Sequence, residues 1–464
     1  MHMHVLERIK PGARYAGPES IELPSGYRIR PVATNLNYPT SVSWDVDGNM
    51  LIAESGFPYG VAAATPSRIL RRTSEDTFEP VASGFAQVIN DITVYQGMLF
   101  VSQRGRISLV EDGRIRDLVT DLPSWGLHQN TAIAFAPDGR MYFGQGTVSN
   151  AGIVGPEELR QLRRTGHPDD HDIPGEPVVL TGQNLPSTDP LTGEARSTGA
   201  FSPWGTPTST GQRIAGPGPG QAASGAIMSA NLNGSDLRVY AWGFRNPVGL
   251  VFGADRRLYV THQGARPLDP RPIAHDADTL WVVEEGVWYG WPDYYGGQPV
   301  TEPHFRQPDM APHRFLIANH QDLLRGRHSP PHPLVDLGLQ AGVGKFDVCL
   351  HPEFGFENQF FVAESGPLLT PKEGATSCLP EGHRVVRVDL AQGIVSDFAV
   401  NRSRMPASMT GNNGGLERPV EAKFGPDGNL YIVDFGVVEY REDLHDFAAT
   451  AATGIVWQVT RTGD

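Results

Sequence analysis

One pattern recurs along the chain and limits what it can fold into. An apolar run is followed by a tight polar turn, a second apolar run and often a small polar end with Gly. The pattern occurs at 41–56 around Asp47-Gly48, at 92–105 around Gln96-Gly97 and at 132–146 around Pro137-Asp138-Gly139. It returns at 240–264 around Ala254-Asp255-Arg256, more loosely at 347–366 with a turn near Glu357-Asn358, and at 421–436 around Pro426-Asp427-Gly428. Asp-Gly between apolar runs predicts a hairpin, because such a turn needs positive φ.

A second type of hairpin follows most of the first, at 67–81, 106–119, 226–240, 279–289 and 384–400. An inner and an outer hairpin together make four strands. Self-similarity at this spacing predicts an all-β, six-bladed β-propeller of four-stranded antiparallel blades. After the last inner hairpin only one strand remains, at 455–460. Its partner is expected at 27–33, where Arg28-Ile29-Arg30-Pro31-Val32-Ala33 matches Thr77-Phe78-Glu79-Pro80-Val81-Ala82 of the first blade. The N-terminal strand would then join the last blade and leave no edge there. The expected organisation is a tail over 1–26 and a propeller over 27–464, with long insertions at about 147–224 and 296–342. Within the first insertion a helix is predicted at 156–164, with Pro156, Glu157 and Glu158 in its first turn, Arg163 and Arg164 in its last, and Gly166 beyond.

Composition narrows the function. The net charge is −14, from 38 basic and 52 acidic residues, which argues against a nucleic-acid surface. No apolar run reaches the roughly eighteen residues of a membrane span. The opening Met1-His2-Met3-His4 does not read as a signal peptide. Cys349 and Cys378 have no metal-ligand spacing and are expected to be free thiols. His304, His313, His320, His328 and His332 crowd the second insertion, but their irregular spacing reads as a solvated loop rather than a metal site. His167 and His171, four apart, follow Gly166 and precede Pro174, a context that breaks a helix.

In a propeller the residues just before each innermost strand converge on one mouth of the central channel. Here they are Pro39-Thr40, Asn90-Asp91, His128-Gln129-Asn130, Arg245-Asn246, Gly344-Lys345 and Arg418-Pro419. One imidazole, two guanidiniums, one amine and several amides suit an anionic ligand and a proton-transfer step. Arg makes two-pronged contacts to carboxylates, Lys adds a point charge, and His can act as a general base near neutral pH. Each residue taken alone reads equally well as structural; their common register is what groups them.

Several of these stretches resemble the soluble glucose/sorbosone dehydrogenase family, six-bladed propellers that use pyrroloquinoline quinone and calcium. Gly243-Phe244-Arg245-Asn246-Pro247-Val248-Gly249-Leu250 is similar to the family's Gly-x-Arg-Asn-Pro-x-Gly-Leu signature, and Tyr289-Gly290-Trp291-Pro292 to its Tyr-Gly-Trp-Pro. His262-Gln263-Gly264 falls at its calcium loop and His128 at its catalytic His. The resemblance implies that His128 takes a hydroxyl proton while hydride passes to the quinone. It implies that Gln129, Arg245 and Asn246 contact the cofactor, that Arg418 and Lys345 hold its carboxylates, and that the carbonyls of Gly264 and Ala265 bind calcium. It further implies a sugar-like small-molecule substrate, a separate electron acceptor, and a periplasmic or secreted setting. Val420 stands where the family often has a second Arg, Ala265 where it often has Pro, and Leu127 where an acid is common. Two other readings remain: a calcium-dependent hydrolase of lactonase type, for which Asp91 is the one acid among the inner-strand starts, and a propeller that binds without turnover, which the departures favour.

Overall fold

A computed structural model describes residues 14–55, 61–62, 65–74, 77–85, 87–367, 381–410, 414–441 and 446–463. Cys378 lies outside them, whereas Cys349 is a buried free thiol. The chain divides into two compact units: Met1–Gln103 with Ser108–Arg116 and Gln340–Asp464, and Arg104–Ile107 with Asp117–Leu339.

The structure is all-β and of the propeller class, with strands paired as the repeat predicts. In the first unit Pro39–Trp44, Met50–Glu54, Arg68–Ser74 and Thr77–Ser83 form a four-stranded antiparallel sheet in that order. A nine-stranded sheet runs Ile21–Glu22, Ile394–Asn401, Arg384–Asp389, Phe360–Glu364, Val343–Val348, Pro419–Phe424, Leu430–Asp434, Gly454–Arg461, Tyr27–Leu36. Its single parallel step is the bridge of Lys345 to Glu421. The N-terminal strand pairs with the C-terminal one as expected, Ile29 opposite Val459 and Pro31 opposite Trp457. Pro31 and Pro80 both sit in outermost strands, where a missing N–H breaks no ladder. Within the stretch expected as a tail, Ile21–Glu22 adds a strand beside Ile394–Asn401, and Arg14 forms a buried ion pair with Asp434 at 2.6 Å.

The four strands Ile89–Tyr95, Met98–Gln103, Arg106–Glu111 and Arg114–Val119 make another sheet. In the second unit Asn130–Phe135, Met141–Gln145, Ala226–Ala230 and Arg238–Trp242 form one sheet, and Asn246–Phe252, Leu258–Gln263, Asp278–Val283 and Val335–Gly338 the next. The turns carry the positive φ the pattern demands: Gly139 has φ 89° and Gly428 φ 75°, and Arg256, in a glycine's place, takes φ 62°.

One expected hairpin is wrong. Residues 279–289 do not fold back on themselves; Asp278–Val283 pairs with Val335–Gly338 instead. The reason is that Gly286 N–H bonds Tyr240 O at 2.7 Å and Tyr289 N–H bonds Trp242 O at 2.7 Å. The chain after Val283 is thereby drawn along the strand Arg238–Trp242, with Trp288 bridged parallel to Trp242. The second insertion therefore interrupts a sheet before its last strand. It is not simply solvated either: His320 Nε2 donates to Oδ2 of the fully buried Asp293 at 3.0 Å, and the ring stacks on Trp288.

The first insertion leaves after Met141–Gln145 and returns at Ala226–Ala230. Its helix spans Pro156–Thr165 and ends at Gly166 in the left-handed region. Glu158, in the first turn, is fully buried and accepts the N–H groups of Asn150 at 2.9 Å and Gly155 at 3.1 Å. Burial pushes its carboxyl up to about 7, against the lowering effect of those bonds. A carboxyl raised in the folded state contributes stability below its unfolded value that is lost as pH rises through about 7. At about 1.4 kcal/mol per tenfold, the swing is roughly 3 kcal/mol. Glu158→Gln loses one acceptor but has no proton to release. Its stability deficit in urea denaturation is therefore expected to shrink between about pH 5 and 8; a deficit that widens with pH contradicts this.

Candidate active site

The strand ends of the second unit bring six of the eight expected site residues into one cluster: His128, Gln129, Arg245, Asn246, Gly264 and Ala265. The chain before Asn130–Phe135 runs beside the chain after Met141–Gln145. Leu127 N–H bonds Val148 O at 3.0 Å, His128 N–H bonds Thr147 O at 3.1 Å, and Gly146 N–H bonds the carbonyl of the buried Gln129 at 2.9 Å. Thr147 N–H in turn bonds Arg245 O at 2.9 Å. Gly146 allows this crossing. A Cβ there would lie 2.3 Å from His128 Cβ and 2.8 Å from Asn246 Oδ1.

His128 is buried, and its Nδ1 lies 3.0 Å from Thr147 O and 3.1 Å from Thr147 Oγ1. A carbonyl can only accept. The Thr147 hydroxyl spends its hydrogen on Ser149 O at 2.6 Å, so it also accepts. Nδ1 must therefore carry the proton, and the Nε2 lone pair is left over. Burial, then the charges of Arg245 and Arg266, hold the imidazole well below its usual range. It is neutral at neutral pH, with one nitrogen able to take a proton.

Arg245 is 2 % exposed. Its N–H donates to His262 Nε2 at 2.9 Å, Nε to Asn150 Oδ1 at 3.1 Å and Nη1 to Gly264 O at 2.7 Å. Nη2 has no partner among the described residues, and neither has Asn246 Oδ1, although Asn246 Nδ2 donates to Gln263 Oε1 at 2.8 Å. Burial and the neighbouring Arg266 lower the Arg245 guanidinium to about 9. Nearby, Gly264 N–H bonds Asp278 Oδ1 at 2.9 Å and Ala265 N–H bonds Asp276 Oδ2 at 2.5 Å. Burial raises the Asp276 carboxyl to about 7, so near neutral pH it offsets the two arginines only in part. The cluster is a buried, electropositive corner with one unused guanidinium arm.

Lys345 and Arg418 belong to the first unit, and each is engaged by protein groups. Lys345 Nζ lies 2.8 Å from Asp91 Oδ1 and 3.2 Å from Glu421 Oε1, and donates to Asn90 O at 3.1 Å. Burial alone would lower this amine, but the two carboxylates outweigh it and hold it above its usual value. Ser41 Oγ joins both acids at 2.9 and 3.1 Å. Arg418 Nη1 reaches the carbonyls of Ser365 at 3.2 Å and Pro367 at 3.0 Å, and Nη2 that of Val438 at 3.2 Å. Thr147, Asn150, Arg266, His262 and Asp276 were not foreseen. The first two lie just past the Gly that ends the third repeat, where the strand pattern stops. His262 was visible only as part of the His-Gln-Gly stretch.

No family model and no curated protein matches the chain. Solved structures do match in fold. The holo form of the pyranose dehydrogenase PQQ domain from Coprinopsis cinerea is similar at 16% identity and TM-score 0.57, covering 95% of this chain and 97% of that one. The calcium structure of a Trichoderma reesei carbohydrate-active enzyme of family AA12 is similar at 12% identity and TM-score 0.55, covering 96% and 98%. The PQQ-bound form of aldose sugar dehydrogenase from Streptomyces coelicolor is similar at 15% identity and TM-score 0.50, covering 94% and 100%. At these identities the likeness establishes the fold.

Gly146→Ala is expected to push His128 and Asn246 apart. Its melting temperature should drop by several degrees, and the His128 ring resonances should move in NMR spectra. A variant that keeps the wild-type His128 signals contradicts the role given to this glycine.

Proposed function

We propose that the protein is a quinone-dependent dehydrogenase that oxidises a sugar or a related polyol or aldehyde, with His128 as general base. The observation that carries this reading is the forced tautomer of His128 beside the unpartnered arm of Arg245. The fold supports it, since structures sharing that fold include dehydrogenases of sugars titled as holo or PQQ-bound. The same reading takes the parallel step at Lys345 and Glu421 as a boundary between two blades, which makes the blade count six.

The residues of the cluster fit a carboxylated quinone such as pyrroloquinoline quinone. Arg245 Nη2 is an unused donor, Arg266 adds a second positive charge, and Asp276, raised to about 7, carries only part of its charge near neutral pH. Arg245, Asn246 and Gln129 would hold it. When bound, such a quinone supplies the two-electron acceptor. His128 Nε2 takes the substrate hydroxyl proton, and Thr147 steadies the ring as it becomes charged. Arg245 and Arg266 oppose that charge, and an anion between them relieves the opposition, so ligand binding and proton uptake are coupled.

Calcium, which the resemblance places on the carbonyls of Gly264 and Ala265, does not fit these residues as they stand. The Gly264 carbonyl accepts from the Arg245 guanidinium, and a cation there would meet like charge. No group of three His, Cys, Asp or Glu side chains suited to a metal occurs among the described residues. Lys345 and Arg418, tied to carboxylates and carbonyls, are given structural roles. Asp91, the acid a lactonase site would need, is paired with Lys345.

Purified protein loaded with pyrroloquinoline quinone is expected to reduce a redox dye with at least one of a panel of aldoses. His128→Ala should lower kcat by about 10²–10⁴-fold, the usual contribution of a general base. Absence of quinone binding ends the proposal. Binding without turnover would make the protein a quinone-binding module instead.

A further inference from the structure

Of the buried acids in the first insertion, none used by the proposed chemistry, Asp189 pairs with Arg163 and two others stand apart. Asp172 is 2 % exposed and Glu158 is 0 % exposed. Neither forms an ion pair among the described residues. What they hold instead is backbone. Asp172 Oδ1 accepts Val148 N–H at 2.7 Å, and Oδ2 accepts Ser149 N–H at 3.0 Å together with the Ser149 hydroxyl. Glu158 Oε1 accepts Asn150 N–H at 2.9 Å. Three successive amides, 148 to 150, thus end on two carboxylates.

Those amides lie between the two residues that reach the cluster. Thr147 accepts from His128 Nδ1, and its hydroxyl is turned by Ser149 O at 2.6 Å. Asn150 Oδ1 accepts from Arg245 Nε at 3.1 Å and Arg266 N–H at 2.9 Å, while its Nδ2 donates to Arg266 O at 2.7 Å. Anchoring a loop needs no buried carboxylate, since neutral side chains cap amides at lower desolvation cost. When ionised, as Glu158 becomes above about pH 7, a carboxylate makes shorter and stronger bonds than a neutral acceptor, which suits a segment that must not drift.

We propose that Asp172 and Glu158 are positioning residues which, through Thr147 and Asn150, fix the tautomer of His128 and the direction of the Arg245 guanidinium. The insertion is then part of the site. The inference rests on the reading of His128 as the base, and it deepens that reading.

The test uses Asp172→Asn and Glu158→Gln, with Thr147→Val as a conservative variant that keeps the carbonyl and removes the hydroxyl. Nitrogen-15 NMR of the imidazole reports the tautomer in the protein without quinone, so it does not depend on activity. In Asp172→Asn, where the Thr147 peptide is free to drift, the Nε2–H form of His128 is expected to appear; Thr147→Val, which keeps the accepting carbonyl at 3.0 Å, is expected to retain the Nδ1–H form. Glu158→Gln is expected to weaken quinone binding through Arg245. In loaded protein, kcat of Asp172→Asn should fall roughly 10- to 100-fold with KM for the sugar little changed, as for a misplaced group. Arg245, Arg266 and His262 are the charged or titratable groups that act on His128, and all remain in place in these variants. The acid limb of the pH profile should therefore shift with the tautomer and not with net charge. Wild-type tautomer and profile in Asp172→Asn, with only a lower melting temperature, overturn the proposal. A shifted tautomer in protein that never reduces dye sustains the positioning and removes the dehydrogenase reading.

Discussion

The carbonyl of Thr147 accepts twice from His128, once from its main-chain N–H and once from its ring. The Thr147 N–H closes the third side by donating to Arg245 O. The ring of His128 and the main chain of Arg245 are thereby both tied to the backbone of one residue. A carboxylate in this place would strongly raise the imidazole's proton affinity and favour its charged form; the neutral carbonyl orients the ring and raises it only weakly, outweighed by burial and the arginines. The geometry yields a neutral histidine of known handedness in a positive field, which is the combination a base needs if its ligand is an anion.

The field itself comes from imbalance. Two arginines lie beside His128, and the acids near them are either bonded to backbone amides or raised by burial toward neutrality. In the first unit the balance is opposite: Lys345 meets two carboxylates and is fully spent. A hydrogen bond to a charged group contributes about 1.5–3 kcal/mol, whereas burying an ion costs several, so only paired or shared charges are cheap. The unshared Arg245 arm, beside a base and a second arginine, is costly, and cost without a structural return marks a candidate functional group.

Much of the fold was legible because its signals are local. Asp-Gly turns and alternating apolar runs mark each hairpin, and Pro31 repeats the place of Pro80 closely enough to reveal how the N-terminal strand pairs. The hairpin at 279–289 was misread because bonds from Gly286 and Tyr289 to the preceding strand, invisible in the residue pattern, outcompete its closure. In the site, His128, Arg245 and Asn246 were readable from register and motif. Thr147, Asn150, Asp172 and Glu158 were not, because their role depends on how an irregular excursion returns to its starting point. Lys345 looked like a free cation because its partners, Asp91 and Glu421, come from strands more than 70 residues away in either direction.

The pairing of Tyr27–Leu36 with Gly454–Arg461 has a bearing on biogenesis. A ribosome emits the earlier of these strands long before the later, so during translation it has no mate and its sheet cannot be finished. Arg14 and Asp434 meet under the same delay. The nascent chain must keep this segment from mispairing until the C-terminal strand emerges, and its arginines at 28 and 30, with Pro31 between its apolar positions, are the kind of residues that discourage premature edge-to-edge association.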